Sequence, residues 1–260
     1  MIIHQVYGIY DDGKPMNELF TTGSNLWKEY CEKHGHIYKL WDKKECEELV
    51  NTYNNIKSYY YDVKYPIMKC DIIRFLIIYQ FGGMYVDLDV QPNKDKINID
   101  ENELSLCKYD NLKHKQGSCE YDIEIIYSKK YNISLYNFIA FYVPQQIEEK
   151  DKIEIYKTWQ VRYIFNTTGP RSFTRYMKFN KIKCNTLSTY QFKEDEKYTI
   201  KDDYLKYDFI SHHSFSYSPH GKKKSVRYRP RKKKPVESSS ESEEEVFNVS
   251  IDEEGFYSLI

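Results

Sequence analysis

Asp71-Ile72-Ile73-Arg74, followed by Gly82-Gly83-Met84-Tyr85-Val86-Asp87-Leu88-Asp89-Val90, decides how this chain folds. Between Pro66 and Phe81 the apolar residues recur at helical spacing, Pro66 suits a first turn, and the glycine pair supplies the left-handed stop that a helix end wants. The spacing predicts a helix over 66–81 that hands over at once to a strand running to Val90. Side chains alternate along a strand, which sends Met84, Val86, Leu88 and Val90 to one face and Tyr85, Asp87 and Asp89 to the other. Two carboxylates on one face repel each other unless a cation or a strong donor lies between them, and a divalent metal is the natural occupant.

Upstream, residues 2–7 read as a short β-prone strand, followed by a loop over 8–15, a helix around 24–33, a second strand over 36–41 and a second helix over 42–50. Strands that alternate with helices predict an α/β domain with a mostly parallel sheet. Downstream, strands are expected over 104–108, 137–141 and 208–210, and helices over 152–165 and 171–179. Thr168 reads as the cap and Pro170 as the first-turn residue of the last helix, whose amides suit an anion or a sugar hydroxyl; an ordinary helix cap is the plain alternative. Residues 219–245 carry charge, Ser and Pro with almost nothing to bury, and are expected to be a disordered tail. Three parts follow: a principal domain over 1–218, the tail over 219–245, and a segment over 246–260 that regains apolar residues and has no assigned role.

A chain of 260 residues with 40% hydrophobic side chains can bury one sizeable core. Its 39 basic and 39 acidic residues cancel, but the sum hides a basic run over 222–234 and an acidic run over 237–245. Richness in Tyr, Lys, Ile and Asn fits an AT-rich genome, such as that of a large DNA virus. The six cysteines form no CxxC pair and no secretory leader precedes them, so reduced thiols and a cytoplasmic setting are expected. The longest apolar run, 72–79, is too short to span a bilayer and contains Arg74, so no transmembrane anchor is expected.

Asp71 and Arg74 are three apart and share a helix face, and a tight glycine turn would fold the next strand back beside them. Asp71, Arg74, Asp87 and Asp89 could then converge on one cleft. The plain alternative is a local ion pair on the helix and a solvated strand end.

In order, His4-Gln5-Val6-Tyr7, Asp71-x-x-Arg74 and Gly82-Gly83-x-Tyr85-x-Asp87-x-Asp89-Val90 resemble the glycosyltransferases with the DXD sugar-binding motif. That group is related to yeast initiating mannosyltransferases, bacterial capsular transferases and the large clostridial glucosylating toxins. Asn137-x-x-Ala140, Thr168-Gly169-Pro170 and His212-His213 with Ser216-Tyr217 extend the resemblance. It implies a GT-A fold, a nucleotide-binding and mostly parallel sheet flanked by helices. It further implies that Asp89 ligates Mn²⁺ or Mg²⁺, and that Asp87 holds the ribose or reaches the metal through water. Asp71 and Arg74 would contact the donor sugar and its phosphate, and Tyr7 would stack on the base where relatives usually have Trp. His212 would complete the metal shell, with His213 and Ser216 as alternates, and Tyr217 stands where a Trp closes over the diphosphate.

The implied activity is transfer of a hexose from a nucleotide sugar, UDP-hexose favoured, to a glycan or protein hydroxyl with retention of configuration. A GDP-mannose-dependent mannosyltransferase and an inactive sugar-nucleotide or glycan binder are the alternatives. Paired aspartates also serve two-metal phosphohydrolases and nucleases, but a second acidic cluster at a matching strand end is missing from the sequence. The basic run could track nucleic acid or an anionic membrane, a contact not expected with the acidic run beside it.

Overall fold

In the computed structural model, residues 1–10, 13–109, 120–192, 204, 206–212, 249–251 and 257–259 are described. Met1–His213 form one compact unit and Ser214–Ile260 a second. In the second, strands Val249–Ile251 and Tyr257–Leu259 pair antiparallel. The expected tail over 219–245 lies outside the described residues.

The first unit is built on an eight-stranded mixed sheet among the described residues. β1 (Ile2–Val6) is followed by α1 (Glu18–His34), β2 (Ile37–Trp41), α2 (Lys43–Asn51), α3 (Asn54–Tyr60), α4 (Pro66–Phe81) and β3 (Gly83–Val86). β4 (Val90–Pro92), β5 (Ser105–Tyr109) and β6 (Asp122–Ser128) come next, then α5 (Ile133–Asn137), α6 (Val143–Asp151), α7 (Ile155–Thr158), α8 (Gln160–Thr167), α9 (Pro170–Phe179), β7 (Asn185–Gln191) and β8 (Phe209–Ser211). The strand order is β2-β1-β3-β6-β5-β7-β8-β4. Every strand runs the same way except β6 and β4, which are antiparallel to their neighbours. The α/β class and the mostly parallel sheet are therefore as the alternating pattern requires.

The chain leaves β1 toward β2 on one side and returns to β3 on the other, so the sheet reverses its winding between β1 and β3. In open α/β sheets, ligands sit outside the carboxyl ends of strands at such a switch point. The sheet is buried on both faces. Ile3, Met84, Val86 and Val90 pack with Trp27, Tyr30 and Cys31 of α1, whereas Val6, Tyr85 and Ile126 pack with α4, Phe138 and Phe173. Met68, Ile72, Ile73, Phe75, Leu76, Ile77 and Ile78 are all fully buried, so α4 is the central helix of that second layer. Each such side chain contributes about 1.5–3 kcal/mol of burial free energy.

Helix α4 has the expected bounds, and its stop is a matter of space as well as conformation. Gly82 and Gly83 have φ of 66° and 89°, where L side chains are strained. A Cβ on Gly82 would also come within 2.6 Å of the Lys130 nitrogen, and one on Gly83 would overlap the Ile2 carbonyl.

Four local expectations are corrected. The strand ends at Val86, and Asp87–Asp89 form a turn before β4, closed by Val90 N–H, which donates back to Asp87 O at 3.1 Å. Residues 137–141 are helical: α5 runs through a π-helical stretch, Phe138–Tyr142, into α6. Leu135, Phe138, Ile139 and Val143 are buried at helical spacing, and Asn132 caps the start through a 3.0 Å bond from Ser134 N–H; a short apolar run fits either period. The helix expected over 152–165 is broken at Trp159, whose φ/ψ of −112°/77° is not helical. Gly169, rather than Thr168, is the cap residue of α9. β6, β7 and α3 were not anticipated.

His4 ties β1 to the end of α4. Its Nε2–H donates to the Gly82 carbonyl at 2.9 Å and its Nδ1 accepts from Trp41 Nε1–H at 3.1 Å, so the neutral ring has both nitrogens satisfied. Burial pushes its pKa down to about 4. A histidine that stays neutral when folded but protonates when unfolded stabilises the protein fully above about pH 6.5, and this support fades as pH falls toward 4. Urea unfolding at pH 7 and pH 4.5 should show His4→Gln losing about 2–3 kcal/mol less than the wild type over that interval. An equal loss in both proteins would contradict this assignment.

Candidate active site

Burying a guanidinium requires nearby acceptors, and Arg74, 4% exposed on α4, has them on several sides. Its NH1 donates to Ile123 O at 2.8 Å and to Asp87 Oδ2 at 3.2 Å, its Nε donates to Cys70 O at 3.2 Å, and its NH2 lies 3.3 Å from Asp71 Oδ1. The guanidinium also stands 5.0 Å over the Tyr85 ring. Burial alone would lower its pKa, but Asp87, the Tyr85 phenol and Asp71 raise it well above the ordinary value.

The two carboxylates on Arg74 are held independently. Asp71 Oδ2 accepts the Thr168 hydroxyl at 2.7 Å. Burial pushes the Asp71 pKa up to about 6, against the opposing pull of Arg74 and Thr168. Asp87 keeps 29% of its side chain exposed, with Oδ1 accepting the Tyr85 hydroxyl at 2.6 Å. Asp71, Arg74 and Asp87 thus meet, as the helix-to-strand handover predicts, and Asp87 presents a partly exposed carboxylate whose orientation is fixed.

The turn that carries Asp87 and Asp89 is clamped from behind. Gln5 Nε2 donates to Asp87 O at 3.2 Å, while its Oε1 accepts from Tyr38 at 2.7 Å. Trp27 Nε1 donates to Val90 O at 2.8 Å. Gly23 of α1 lies so close that a Cβ there would overlap the Leu88 carbonyl. Helix α1 is therefore the backing of the acidic turn.

Asp89 and His212 meet through the pairing of β4 with β8, which sets Val90 opposite Ser211. His212 N–H donates to Asp89 O at 2.9 Å. The His212 ring stacks on Phe192 at 5.2 Å and 7°, and burial lowers its pKa, which favours the neutral form that ligates metals. One carboxylate and one imidazole fit Mn²⁺, or Mg²⁺ with a larger share of oxygen ligands. Among the described residues no group of three His, Cys, Asp or Glu could hold a metal, so substrate or solvent oxygens would have to complete such a shell.

Tyr7 lies just past the carboxyl end of β1, half-buried, with its hydroxyl donating to Lys14 O at 2.6 Å. His213, Ser216 and Tyr217 lie outside the described residues. Several residues went unassigned at the level of sequence. Thr168 reads only as a cap in the sequence, and Gln5 and Tyr10 carry no signal of a role there, although the Tyr10 phenol lies within electrostatic reach of Asp71, Arg74 and Asp87. Glu124, a single acidic residue inside the β-prone run Ile123-Glu124-Ile125-Ile126, carried a readable signal: a charge buried in such a strand needs a purpose.

Residues 17–106 match the family described as "Glycosyltransferase sugar-binding region containing DXD motif". That stretch includes Asp71, Arg74, Asp87 and Asp89. Two proteins of Schizosaccharomyces pombe are similar over part of the chain. Inositol phosphoceramide mannosyltransferase 3 is 36% identical over 95 residues, which are 36% of this chain and 25% of that protein. Inositol phosphoceramide mannosyltransferase 1 is 27% identical over 94 residues, 36% of this chain and 28% of that protein. The chain thus spans about a quarter of the length of these relatives. Among solved structures, one described as PaToxG glycosyltransferase has a TM-score of 0.48 at 13% identity, covering 69% of this chain and 68% of its own. A glycosyltransferase involved in the glycosylation of the major capsid of PBCV-1 has a TM-score of 0.38 at 11% identity, covering 82% and 94%.

If α1 sets the position of the acidic turn, Gly23→Ala will behave against its helix propensity. An unhindered Gly-to-Ala change in a helix interior stabilises by about 1 kcal/mol. Here overlap with a main-chain carbonyl should make the variant less stable than the wild type by about 1–3 kcal/mol in urea unfolding. A gain in stability would show that Gly23 does not constrain the turn.

Proposed function

We propose that this chain is a metal-dependent glycosyltransferase of the GT-A type that moves a hexose from a nucleotide sugar to an acceptor hydroxyl. The observation that carries the reading is the buried Arg74, which holds Asp71 and Asp87 in a segment matching the DXD sugar-binding family. The position of these groups, outside the carboxyl ends of β1 and β3 at the winding reversal, supports it.

In this reading Asp89 and His212 hold Mn²⁺ or Mg²⁺, and Asp87 accepts a ribose hydroxyl or a metal-bound water. Bound there, the cation supplies Lewis-acid neutralisation of the diphosphate as it departs. Asp71, 4% exposed with its oxygens on Thr168 and Arg74, acts from behind Asp87 and not by direct contact with the donor sugar that the resemblance implies. Arg74, enclosed by protein acceptors, acts mainly by fixing both carboxylates and by adding positive charge behind the leaving group. Tyr7 stacks on the base, with its ring direction set by the Lys14 bond. His213, Ser216 and Tyr217 are retained as the segment that closes over the diphosphate.

The acceptor hydroxyl attacks from the face on which the diphosphate leaves, with a departing phosphate oxygen as base, so configuration is retained. Mannose is the sugar favoured by the names of the two yeast relatives, which makes GDP-mannose as strong a donor candidate as a UDP-hexose. The acceptor is a glycan or protein hydroxyl, and the place of work is cytoplasmic. Among the described residues no helix is long and apolar enough to cross a membrane.

Titration calorimetry and thermal shift with UDP, GDP, UDP-hexoses and GDP-mannose, with and without Mn²⁺, test the proposal. One nucleotide series should stabilise the protein in the presence of Mn²⁺, by about 2.7 kcal/mol at a hundredfold excess over Kd. Asp89→Ala should lose that response while keeping the wild-type circular dichroism. Failure of every nucleotide to bind wild type with Mn²⁺ would overturn the reading. Tight binding with no release of free nucleotide diphosphate on adding acceptors or water would mark a binder in place of an enzyme.

A further inference from the structure

Glu124 is 3% exposed, in a sheet where an apolar side chain would cost nothing to bury. Its main chain and its side chain reach opposite sides of one junction. The Glu124 carbonyl accepts Asp87 N–H at 2.9 Å. Its Oε2 accepts the Ser211 hydroxyl at 2.9 Å, and its Oε1 accepts the Cys107 thiol at 3.5 Å. Ser211 is the residue paired with Val90, and the next residue, His212, donates its N–H to Asp89 O. Asp87 therefore hangs on the Glu124 main chain, while the strand end carrying His212 hangs on its side chain. Glu124 thus bonds both to Asp87 and to the end of β8, which are separated by more than a hundred residues of sequence.

We propose that Glu124 is a positioning residue for the divalent cation: by joining Asp87 of the acidic turn to Ser211 at the end of β8, it sets the spacing between Asp89 and His212. This rests on the reading above of Asp89 and His212 as the metal-holding pair. Groups behind a metal ligand fix its orientation, and their loss weakens metal binding without removing any ligand. Thr189 pairs through its main chain with Phe209 of β8, but its side chain meets the same buried cluster at Cys107, its Oγ1 lying 3.1 Å from Cys107 Sγ, and it is the matched control.

Mn²⁺ affinity, read from the electron paramagnetic resonance signal of free Mn²⁺ at saturating UDP or GDP, tests the proposal without reference to activity. Glu124→Gln replaces one of the two acceptor oxygens shared by Ser211 and Cys107 with an amide donor, and Ser211→Ala removes the bond but keeps the carboxyl. Each should raise the Mn²⁺ Kd by about 10–100-fold, whereas Thr189→Val should leave it unchanged even if it lowers the melting temperature. If wild type binds Mn²⁺ and both variants bind it equally well, Glu124 is structural only and the proposal is overturned. An equal loss in Thr189→Val would overturn it too, by showing general loosening. Should Glu124→Gln fail to fold, Ser211→Ala alone decides. Absence of Mn²⁺ binding in wild type would instead defeat the metal assignment on which the proposal stands.

Discussion

A guanidinium buried at the centre of an α/β unit is the constraint on which the rest of this structure depends. Arg74 cannot lose its charge, so the fold has to bring acceptors to it. It does so from its own helix, with Asp71 and the Cys70 carbonyl, from Asp87 just past the end of β3, and from the Ile123 carbonyl of β6, 49 residues away. Removing one partner of such a group leaves a buried charge unpaired, at a cost of about 3–5 kcal/mol. The carboxylates are thereby arranged before any ligand arrives, and preorganised groups are what electrostatic catalysis needs. The same arrangement explains the glycine pair, because α4 and β3 can lie side by side only if Gly82 and Gly83 take conformations closed to other residues.

The parts of this that were legible in the sequence are the local ones. The bounds of α4, the helix stop at Gly82 and the first two parallel strands followed from periodicity, proline placement and glycine. So did the convergence of Asp71, Arg74 and Asp87, because a helix face and a tight turn are both short-range geometry. The end of the strand at Val86 was not legible. The alternation of residues continues through Val90, but the chain turns where Val90 N–H donates to the Asp87 carbonyl, and that carbonyl is held by the side-chain amide of Gln5, 82 residues away. Thr168 illustrates the same limit. Its position before Pro170 reads as a cap, yet its hydroxyl is engaged by Asp71, 97 residues distant. Residues 137–141 failed for a different reason, since a short apolar run satisfies strand and helix alike until its neighbours are known.

The stretch that matches the DXD family ends at residue 106, and the site does not. Glu124 from β6, Thr168 from the end of α8 and His212 from the end of β8 lie beyond it. The matched stretch supplies Asp71, Arg74 and the acidic turn, together with α1 as backing, through Trp27 and Gly23. The unmatched part supplies Glu124 and Thr168, which hold these groups in place, and His212, the second side chain proposed to hold the cation. This division fits a site in which the charged groups come from one contiguous supersecondary unit and their precision from long-range contacts made by the remainder of the sheet.

On the proposed reading, the acidic turn and the end of β8 together hold a cation against a nucleotide diphosphate. A crystal of the full chain grown with Mn²⁺ and the nucleotide diphosphate that binds best, measured at the manganese absorption edge, should then show one anomalous peak bonded to the Asp89 carboxylate, the His212 ring and phosphate oxygens, with the base against Tyr7. Manganese bound elsewhere, or a nucleotide seated away from the carboxyl ends of β1 and β3, would rule this arrangement out.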